Sequence, residues 1–285
     1  PLVGQFGGKF LTGNHLQERL ERAMLADPAL TVDKTDGASA YRVSGRGVMH
    51  LTILIENMRR ELYEFSVGAP QVLYKTDDNG QKLEPFEILT VDVPQEFSGA
   101  VIEQLGTRKS EMQGMEQDGD LMRVTFRLPS RGLIGLRTTL LSMTRGYAVM
   151  QTLFDGYEPY AGEIPTRHAG ALVSNVAGTS MAYSLFKLDD RGDFVVPPQT
   201  EIYEGMIVGI SNRNDDMVLN ICKNKALTNV RSSGADDALT ITPYKDMSLE
   251  EAVVFINPDE LVEVTPEKLR LRKQMLKEVD RKRKK

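Results

Sequence analysis

Hydrophobic residues recur at helical spacing after two short segments that resemble each other. Residues 41–47 read YRVSGRG and residues 126–132 read FRLPSRG, at a shift of 85 positions. After the first copy, apolar side chains three and four positions apart predict a helix over about 48–61. The second copy predicts a matching helix on four apolar positions, Leu133, Leu136, Leu140 and Met143.

A further helix is predicted upstream of each copy. Asn14 is placed to cap the first, which Asp27 and Pro28 end, and Pro94 opens the second. Alternating extended stretches complete both copies, so each follows the order strand–helix–strand–strand–helix–strand. This order is typical of the ferredoxin-like split βαβ fold. The extended stretches are residues 30–34, 40–43, 71–75, 87–93 and 121–128.

After about residue 167 the pattern changes to short strands separated by turn residues. A capping box at Ser248 and Glu251 predicts one helix within this region. We therefore predict an α+β chain with two tandem ferredoxin-like domains and a β-rich C-terminal domain. The predicted boundaries are 1–76, 83–162 and 163–285.

Charge is spread unevenly along the 285 residues. The net charge is −5, but the last twenty residues hold ten Lys or Arg and three Asp or Glu, and carry +7. The remainder therefore carries −12. A tail this basic is drawn to phosphate, or else is a solvated terminus, which we favour for its last five residues.

Several classes of protein are disfavoured by composition. Cys222 stands alone beside three scattered histidines, so we expect no disulfide, no Cys/His metal site and a reducing cytoplasmic setting. No run of eighteen apolar residues is present, and the start lacks the layout of a signal peptide. The chain starts abruptly and without Met, which suggests a piece of a longer protein.

The sequence lacks the residues and spacings that familiar catalytic motifs require. GQFGGKF at 4–10 lacks both the spacing and the Ser or Thr of a phosphate loop. His50 lies beside an apolar helical face, where a satisfied structural side chain is a better interpretation than a general base. Arg46 and Arg131 precede helix starts, where phosphate contact and pairing with a carboxylate are equally good interpretations. Gly47 and Gly132 would permit the tight turns there.

The stretch 221–238 lies between predicted strands and reads ICKNKALTNVRSSGADDA. Its cations, hydroxyls and small side chains suit a nucleic-acid backbone and splayed bases, the alternative being a solvated loop. The candidate RNA-binding residues in this stretch are Lys223, Lys225, Thr228, Asn229, Arg231, Ser232 and Ser233.

GRGVMHLTILIENMRRE at 45–61, PSRGLIGLRTTLLSMTRG at 129–146 and LTNVRSSGADDA at 227–238 together resemble the BipA (TypA) family. These are ribosome-associated translational GTPases related to elongation factor G. The resemblance covers essentially the whole chain and implies the third and fifth domains of the translocase, followed by the family's own C-terminal domain. One departure is that Val48 and Met49 stand where the family has Glu and Leu.

The resemblance implies docking at the ribosomal factor site, with roles in stress response and ribosome assembly. Partners would be large-subunit rRNA, the stalk-base region and the tRNA acceptor end, with no DNA or membrane partner and a monomeric state. Arg131 and Arg145 are further RNA-binding candidates. GTP, Mg²⁺ and catalysis would belong to an absent G domain, so we expect no cofactor, metal or catalytic residue in this chain.

Two other functions remain open from the sequence. Paired ferredoxin-like domains also form regulatory modules that sense small molecules, and the repeat would then form a ligand cleft. A protein–protein adaptor without RNA contact is the third possibility, which the net negative charge mildly favours.

Overall fold

The structure is a computed structural model that describes residues 2–35, 40–164, 169–224 and 242–284. It contains two compact units. The central unit is Pro70–Thr166, and the split unit combines Pro1–Ala69 with Arg167–Lys285. The division into domains 1–76, 83–162 and 163–285 stays a prediction, to which the structure adds that the first and last stretches share one unit.

The first stretch of the split unit contains two helices that pack on each other through Leu20, Met58 and Tyr63. The helix cap differs from the expected one, because the hydroxyl of Thr12, not the side chain of Asn14, accepts the N–H of His15 at 3.4 Å. The elements are α1 (Gly13–Ala26), β1 (Thr31–Lys34), β2 (Tyr41–Ser44), α2 (Val48–Arg60) and β3 (Phe65–Gly68).

The central unit is a ferredoxin-like α/β layer. Its elements are β4 (Lys75–Thr76), β5 (Lys82–Pro94), α3 (Gln95–Gly106), β6 (Glu111–Asp118), β7 (Leu121–Pro129), α4 (Leu136–Met143) and β8 (Val149–Pro159). The main sheet is antiparallel in the order β8–β5–β7–β6, and β4 pairs with the start of β5. Alternate residues of β5 and β7 bury against α3 and α4 and form a single core.

The helix predicted to begin at Leu133 begins later. Residues Ser130–Leu133 form a 3-10 turn, and Gly135 adopts a left-handed φ of 72° before α4 starts at Leu136. Periodicity cannot reveal this break, since the apolar spacing continues across it. Glycine adopts positive φ without the steric cost that a Cβ imposes.

The last stretch is rich in short strands, as predicted. The side chains of Ser248 and Glu251 form the expected capping box. The elements are β9 (Ala171–Ser174), β10 (Gly178–Thr179), α5 (Ala182–Lys187), β11 (Gly192–Phe194), β12 (Glu201–Ile202), β13 (Met206–Ser211), β14 (Met217–Leu219), α6 (Leu249–Phe255), β15 (Glu260–Val264), β16 (Leu269–Lys273) and α7 (Glu278–Lys284).

A shared sheet joins the two stretches of the split unit. The strand order is β14–β9–β13–β16–β15–β3, with β11 also on β13, and Val67 of β3 lies opposite Val262 of β15. Helix α2 packs on α6 above this sheet. The first repeat therefore contributes its last strand to the C-terminal sheet, and Phe10 meets Tyr63 through a single parallel bridge.

The predicted α+β class is confirmed. Two ferredoxin-like repeats precede a β-rich C-terminal region, and each repeat contains an α–β–β–α–β run. Across the described ranges, every helix is too short or too polar to cross a bilayer.

Candidate functional site

Arg131, in the second repeat, is engaged inside the central unit. Its Nε lies 2.5 Å from Oε2 of Glu84, its Nη2 also bonds to Oε1 at 3.1 Å, and the Gly162 carbonyl accepts a further bond. Glu84 is fully buried. Burial lowers the pKa of Arg131, but the hydrogen bond and charge of Glu84, with smaller contributions from Tyr160 and Tyr74, together raise the pKa overall. This geometry favours the structural interpretation of Arg131, while its RNA contact stays a prediction.

The equivalent corner of the first repeat is more open. Arg46 is 76% exposed and lies 3.9 Å from Asp27. The backbone N–H of Arg46 donates to Nδ1 of His50 at 3.2 Å, so Nε2 carries the proton and donates to Asp27 at 2.7 Å. The Ala29 N–H first, and then His50, hold the pKa of the Asp27 carboxyl below its ordinary value. His50 is thus a satisfied side chain that holds the corner together.

At the first corner the structure requires glycine at Gly45, and not at Gly47 as expected. Gly47 has an extended φ of 165°, and a Cβ there would meet nothing within 4 Å, so its turn does not require glycine. A Cβ on Gly45 would lie 2.7 Å from Nδ1 of His50. Gly45 is therefore the glycine that the His50 contact demands. A Cβ on Gly132 would lie 3.2 Å from the Arg108 carbonyl.

Of the seven candidate RNA-binding residues in the stretch 221–238, six lie outside the described residues, and Lys223 is the one that is described. The side chain of Lys223 is exposed, and its carbonyl accepts the hydroxyl of Ser184 at 2.6 Å. On the far side, the Thr242 hydroxyl donates to Asp189 at 2.7 Å. The described residues Lys223 and Thr242, which flank the stretch 225–241, are thus both bonded near α5. The six are Lys225, Thr228, Asn229, Arg231, Ser232 and Ser233.

Arg145 is exposed at the C-terminal end of α4 and adopts a left-handed φ of 53°. The N–H of Gly146 reaches back to the Leu141 carbonyl at 2.7 Å and closes the helix. A left-handed conformation costs a residue other than glycine about 1–2 kcal/mol. An arginine here gains no ion pair within the described structure, so its charge remains available to a partner.

Lys109 and Arg137, which the sequence patterns missed, lie near the N-terminal end of α4. Nη1 of Arg108 donates to the carbonyls of Gly132 and Ile134 at 2.7 and 3.0 Å, which holds the end of α3 against the start of α4. Lys109 follows it with a left-handed φ of 58°, and Arg137 lies in the first turn of α4. Both are exposed, and neither makes an ion pair among the described residues. We name Lys109 and Arg137 the cationic corner.

An aromatic and cationic surface also lies on the central unit. The rings of Tyr74 and Tyr160 are 40% and 38% exposed, with centroids 6.2 Å apart. Lys82 Nζ lies 3.6 and 4.6 Å from the two centroids, and Arg131 lies 4.5 Å from that of Tyr160. Exposed aromatic rings with cations beside them are the groups on which unstacked bases bind. Sequence spacing gave no signal, because β4 and β8 are distant along the chain.

Buried charges stabilise the shared sheet. Glu263 accepts the hydroxyl of Tyr203 at 2.8 Å and pairs with Arg270 and Arg272 at 2.9 and 2.8 Å. Burial first, and then Glu263, raise the pKa of Tyr203. Lys273 is 1% exposed. Its pKa is lowered by burial but raised overall by three carboxylates within 2.9 Å, those of Asp216, Asp259 and Glu260. Lys273, Glu260, Glu263 and Arg270 are buried in the sheet and closed to a macromolecular partner, whereas Asp216 and Asp259 are partly exposed.

No cluster of three or more His, Cys, Asp or Glu in the described structure has the arrangement of a metal site. The exposed cations considered for binding lie on both units: Arg46 and Lys223 on the split unit, and the cationic corner and Arg145 on the central unit. Exposed Lys and Arg side chains of this kind suit contact with a polyanion.

Comparison with known protein families gives matches to the second repeat and to the C-terminal region. The family model of the TypA/BipA C-terminal domain matches residues 169–278, and that of the elongation factor G C-terminus matches residues 81–168. Three similar relatives share the name large ribosomal subunit assembly factor BipA. That of Haemophilus influenzae is 45% identical over 285 residues, and that of Bacillus subtilis is 46% identical over 283, each over 99% of this chain. That of Salmonella typhimurium is 44% identical over 278 residues, or 97% of this chain.

The chain spans 46% of the length of each of these relatives. The matched domains follow one another along the chain in the order that the sequence resemblance implied, with the elongation factor G domain before the BipA domain. The agreement of domain order, identity and coverage leads to one conclusion: this chain belongs to the TypA/BipA family.

Proposed function

We propose that this chain is the ribosome-docking part of a translational GTPase of the cytoplasm. The observation that carries the proposal is the similarity to large ribosomal subunit assembly factors over 99% of the chain. GTP and Mg²⁺ would bind to a G domain outside this chain, which itself would catalyse nothing. Its described surface supports that division, because it offers cations and aromatic rings for binding.

RNA is the proposed partner of the outward cations. The cationic corner comprises two exposed charges, Lys109 after α3 and Arg137 in the first turn of α4, where free backbone N–H groups also favour phosphate. Arg145 holds a third charge at the other end of the same helix. On the split unit, Lys223 leads into the undescribed stretch with Arg231, which we propose to lie against the tRNA acceptor end and large-subunit rRNA. The central unit would then face the stalk-base region.

Docking would be transmitted to the G domain as a movement of rigid domains. The chain would act as a monomer, because a single copy carries both RNA-binding regions. The charged groups that hold each unit rigid are internal, as with Arg131 on Glu84 and Lys273 on its three carboxylates. Because each unit is rigid, a ribosome contact at one end of a unit would also displace its other end.

Charge reversal tests the proposal. Lys109→Glu, Arg137→Glu and Lys223→Glu should each weaken sedimentation of the chain with ribosomes, and each should flatten its salt dependence by about one unit of slope per lost phosphate contact. Arg42→Glu is the matched control, since Arg42 is exposed on β2 and makes no ion pair in the described structure. Unchanged affinity and slope in all three variants would reject the proposed RNA contacts.

A parallel measurement addresses the small-molecule alternative. Amino acids and nucleotides are screened for an increase in the melting temperature of the chain, since a ligand that binds only the folded state stabilises it. An increase with one of them, in a chain that does not sediment with ribosomes, would favour the sensing module.

A further inference from the structure

A cleft of about 860 Å³ lies within the split unit, between α2, the start of α6 and strand β16. It is formed where the first repeat meets the C-terminal sheet. A volume of this size accommodates a drug-sized molecule or a few amino-acid side chains. Its lining includes Met49, Ile53, Asp246, Glu250 and Glu267. We name this feature the acidic cleft.

One wall of the acidic cleft is an exposed apolar stripe on α2. Met49 and Ile53 are 52% and 55% exposed and lie four residues apart, so they share one face of the helix. The opposite face already packs on the core through Val48 and Ile55. The helix therefore keeps two large aliphatic side chains in water, at a place where a partner would cover them.

The charge that the cleft offers a partner is negative. Asp246, Glu250 and Glu267 line it, and none of the three forms an ion pair within the described ranges. The cations of the lining are engaged. Arg270 pairs with Glu263 at 2.9 Å, and Arg59 bonds to Glu56 at 3.3 Å and to the Thr265 carbonyl at 2.9 Å.

Arg60, at the rim, also pairs with Glu56, at 2.8 Å. Each of these arginines has a carboxylate partner within the split unit, so unpaired carboxylates beside apolar side chains define what the cleft attracts. Nucleic acid would meet like charge here, in contrast to the cationic corner. A segment with positive side chains meets opposite charge, and an aliphatic side chain on it can cover Met49 and Ile53.

We infer that the acidic cleft binds a basic polypeptide segment that carries at least one large aliphatic side chain. Its cations would pair with Asp246 and Glu250, and its aliphatic side chain would lie on Ile53. The cleft thus gives the chain a protein-binding surface separate from its proposed RNA contacts. The inference does not depend on ribosome docking, since its evidence lies wholly within the split unit.

A direct titration tests the inference. The probe is a fluorescein-labelled peptide of alternating Lys and Leu residues, and its fluorescence anisotropy is followed as the 285-residue chain is added. Asp246→Asn with Glu250→Gln should lower the affinity about tenfold, because two complementary charges are lost. Ile53→Ser should lower it about fivefold, through the lost apolar contact.

Each variant has a matched control. Glu18→Gln with Glu111→Gln removes the same charge at exposed positions outside the cleft, and Leu25→Ser removes an aliphatic side chain that is 88% exposed on α1. Circular dichroism verifies that every variant folds. An equal loss of affinity in variants and controls, or no loss in either, overturns the inference.

A labelled single-stranded RNA serves as the second probe. The cleft variants should leave its affinity unchanged or raise it slightly, because they remove negative charge. A loss of RNA binding on Ile53→Ser would assign the cleft to nucleic acid and would also overturn the inference. Ribosome sedimentation of the same variants is read separately, so failure of the docking proposal and failure of this inference give different results.

Discussion

Arg131 and Glu84 form a bidentate ion pair across the central unit, with Nε and Oε2 2.5 Å apart and the carboxylate fully buried. The arginine side chain is 13% exposed, so the pair is nearly closed to water. Arg131 is the next-to-last residue of the second repeat motif. The pair therefore fixes the turn before α4, and with it the position of the cationic corner.

Breaking this pair should destabilise the central unit strongly. Glu84→Gln and Arg131→Met should each lower the free energy of unfolding by about 3–5 kcal/mol, because each leaves an uncompensated buried charge or donor. Hydrogen exchange of the β5 and β7 amides in the full chain measures this loss.

Asp92→Asn is the matched control for the buried pair. It breaks a second bidentate pair on the same sheet, with Arg123, whose side chain is 49% exposed. Exposed pairs contribute little, so the loss should be small. Equal losses for the buried and exposed pairs would contradict the structural role of Arg131. A double variant with Met at both 84 and 131 should recover part of the stability.

Because Tyr203 is buried, we expect the free energy of unfolding to fall at alkaline pH. Its folded-state pKa is raised above the unfolded value of about 10, first by burial and then by Glu263. The stabilisation is complete below that value and is lost as pH rises from it toward the folded-state pKa. Lys273, whose pKa is also raised, acts in the same direction from about 10.5 upward.

Tyr203→Phe separates these contributions. It should flatten the decline of stability above about pH 10 and should cost about 1.5–3 kcal/mol at neutral pH, since a hydrogen bond to a charged carboxylate is lost. Denaturant unfolding across the alkaline range gives both values. Tyr147→Phe, at a ring that is 63% exposed, should change neither, and an unaltered alkaline slope in Tyr203→Phe would refute the assignment.

The elements with strong periodicity were predictable, and the contacts between distant segments were not. Helix α2 was expected over 48–61 and is found at Val48–Arg60, and the capping box at Ser248 is present. Both features depend on the spacing of residues close together in the sequence, so the sequence alone predicts them. The pairing of β3 with β15 joins residues almost two hundred positions apart, so no local pattern indicates it.

The candidate site shows the same division. Arg131 was marked by its position before a helix and Arg145 by the family resemblance. Only the structure shows that Glu84 engages Arg131 while Arg145 remains exposed. Lys109 was missed because nothing in the local sequence distinguishes it from other surface lysines. Its place beside the start of α4 depends on the bonds of Arg108 to the Gly132 and Ile134 carbonyls. The composition of the stretch 221–238 predicted an RNA contact, which stays a prediction because 225–241 lies outside the described residues.

Gly45 should be irreplaceable in the first repeat, whereas Gly47 should tolerate alanine. A Cβ on Gly45 would force His50 away from the Arg46 N–H and from Asp27, and would leave a weakened corner. We expect Gly45→Ala to cost about 1–3 kcal/mol, as for other overpacked contacts, and Gly47→Ala to cost less than that. Thermal unfolding compares the two. A larger loss for Gly47→Ala would show that the glycine roles have been assigned the wrong way round.

Arg145→Gly should separate stability from binding. Glycine adopts the left-handed φ of 53° without strain, so the variant should gain about 1 kcal/mol of unfolding free energy while losing a charge that RNA would contact. Gln199→Gly is the matched control, because Gln199 has a φ of 65° and no charge, and it should gain stability without altering ribosome association. Denaturant unfolding and sedimentation with ribosomes are measured on both variants. If Arg145→Gly gains stability and keeps full ribosome affinity, the strained arginine is not retained for RNA, and the contact belongs to the cationic corner alone.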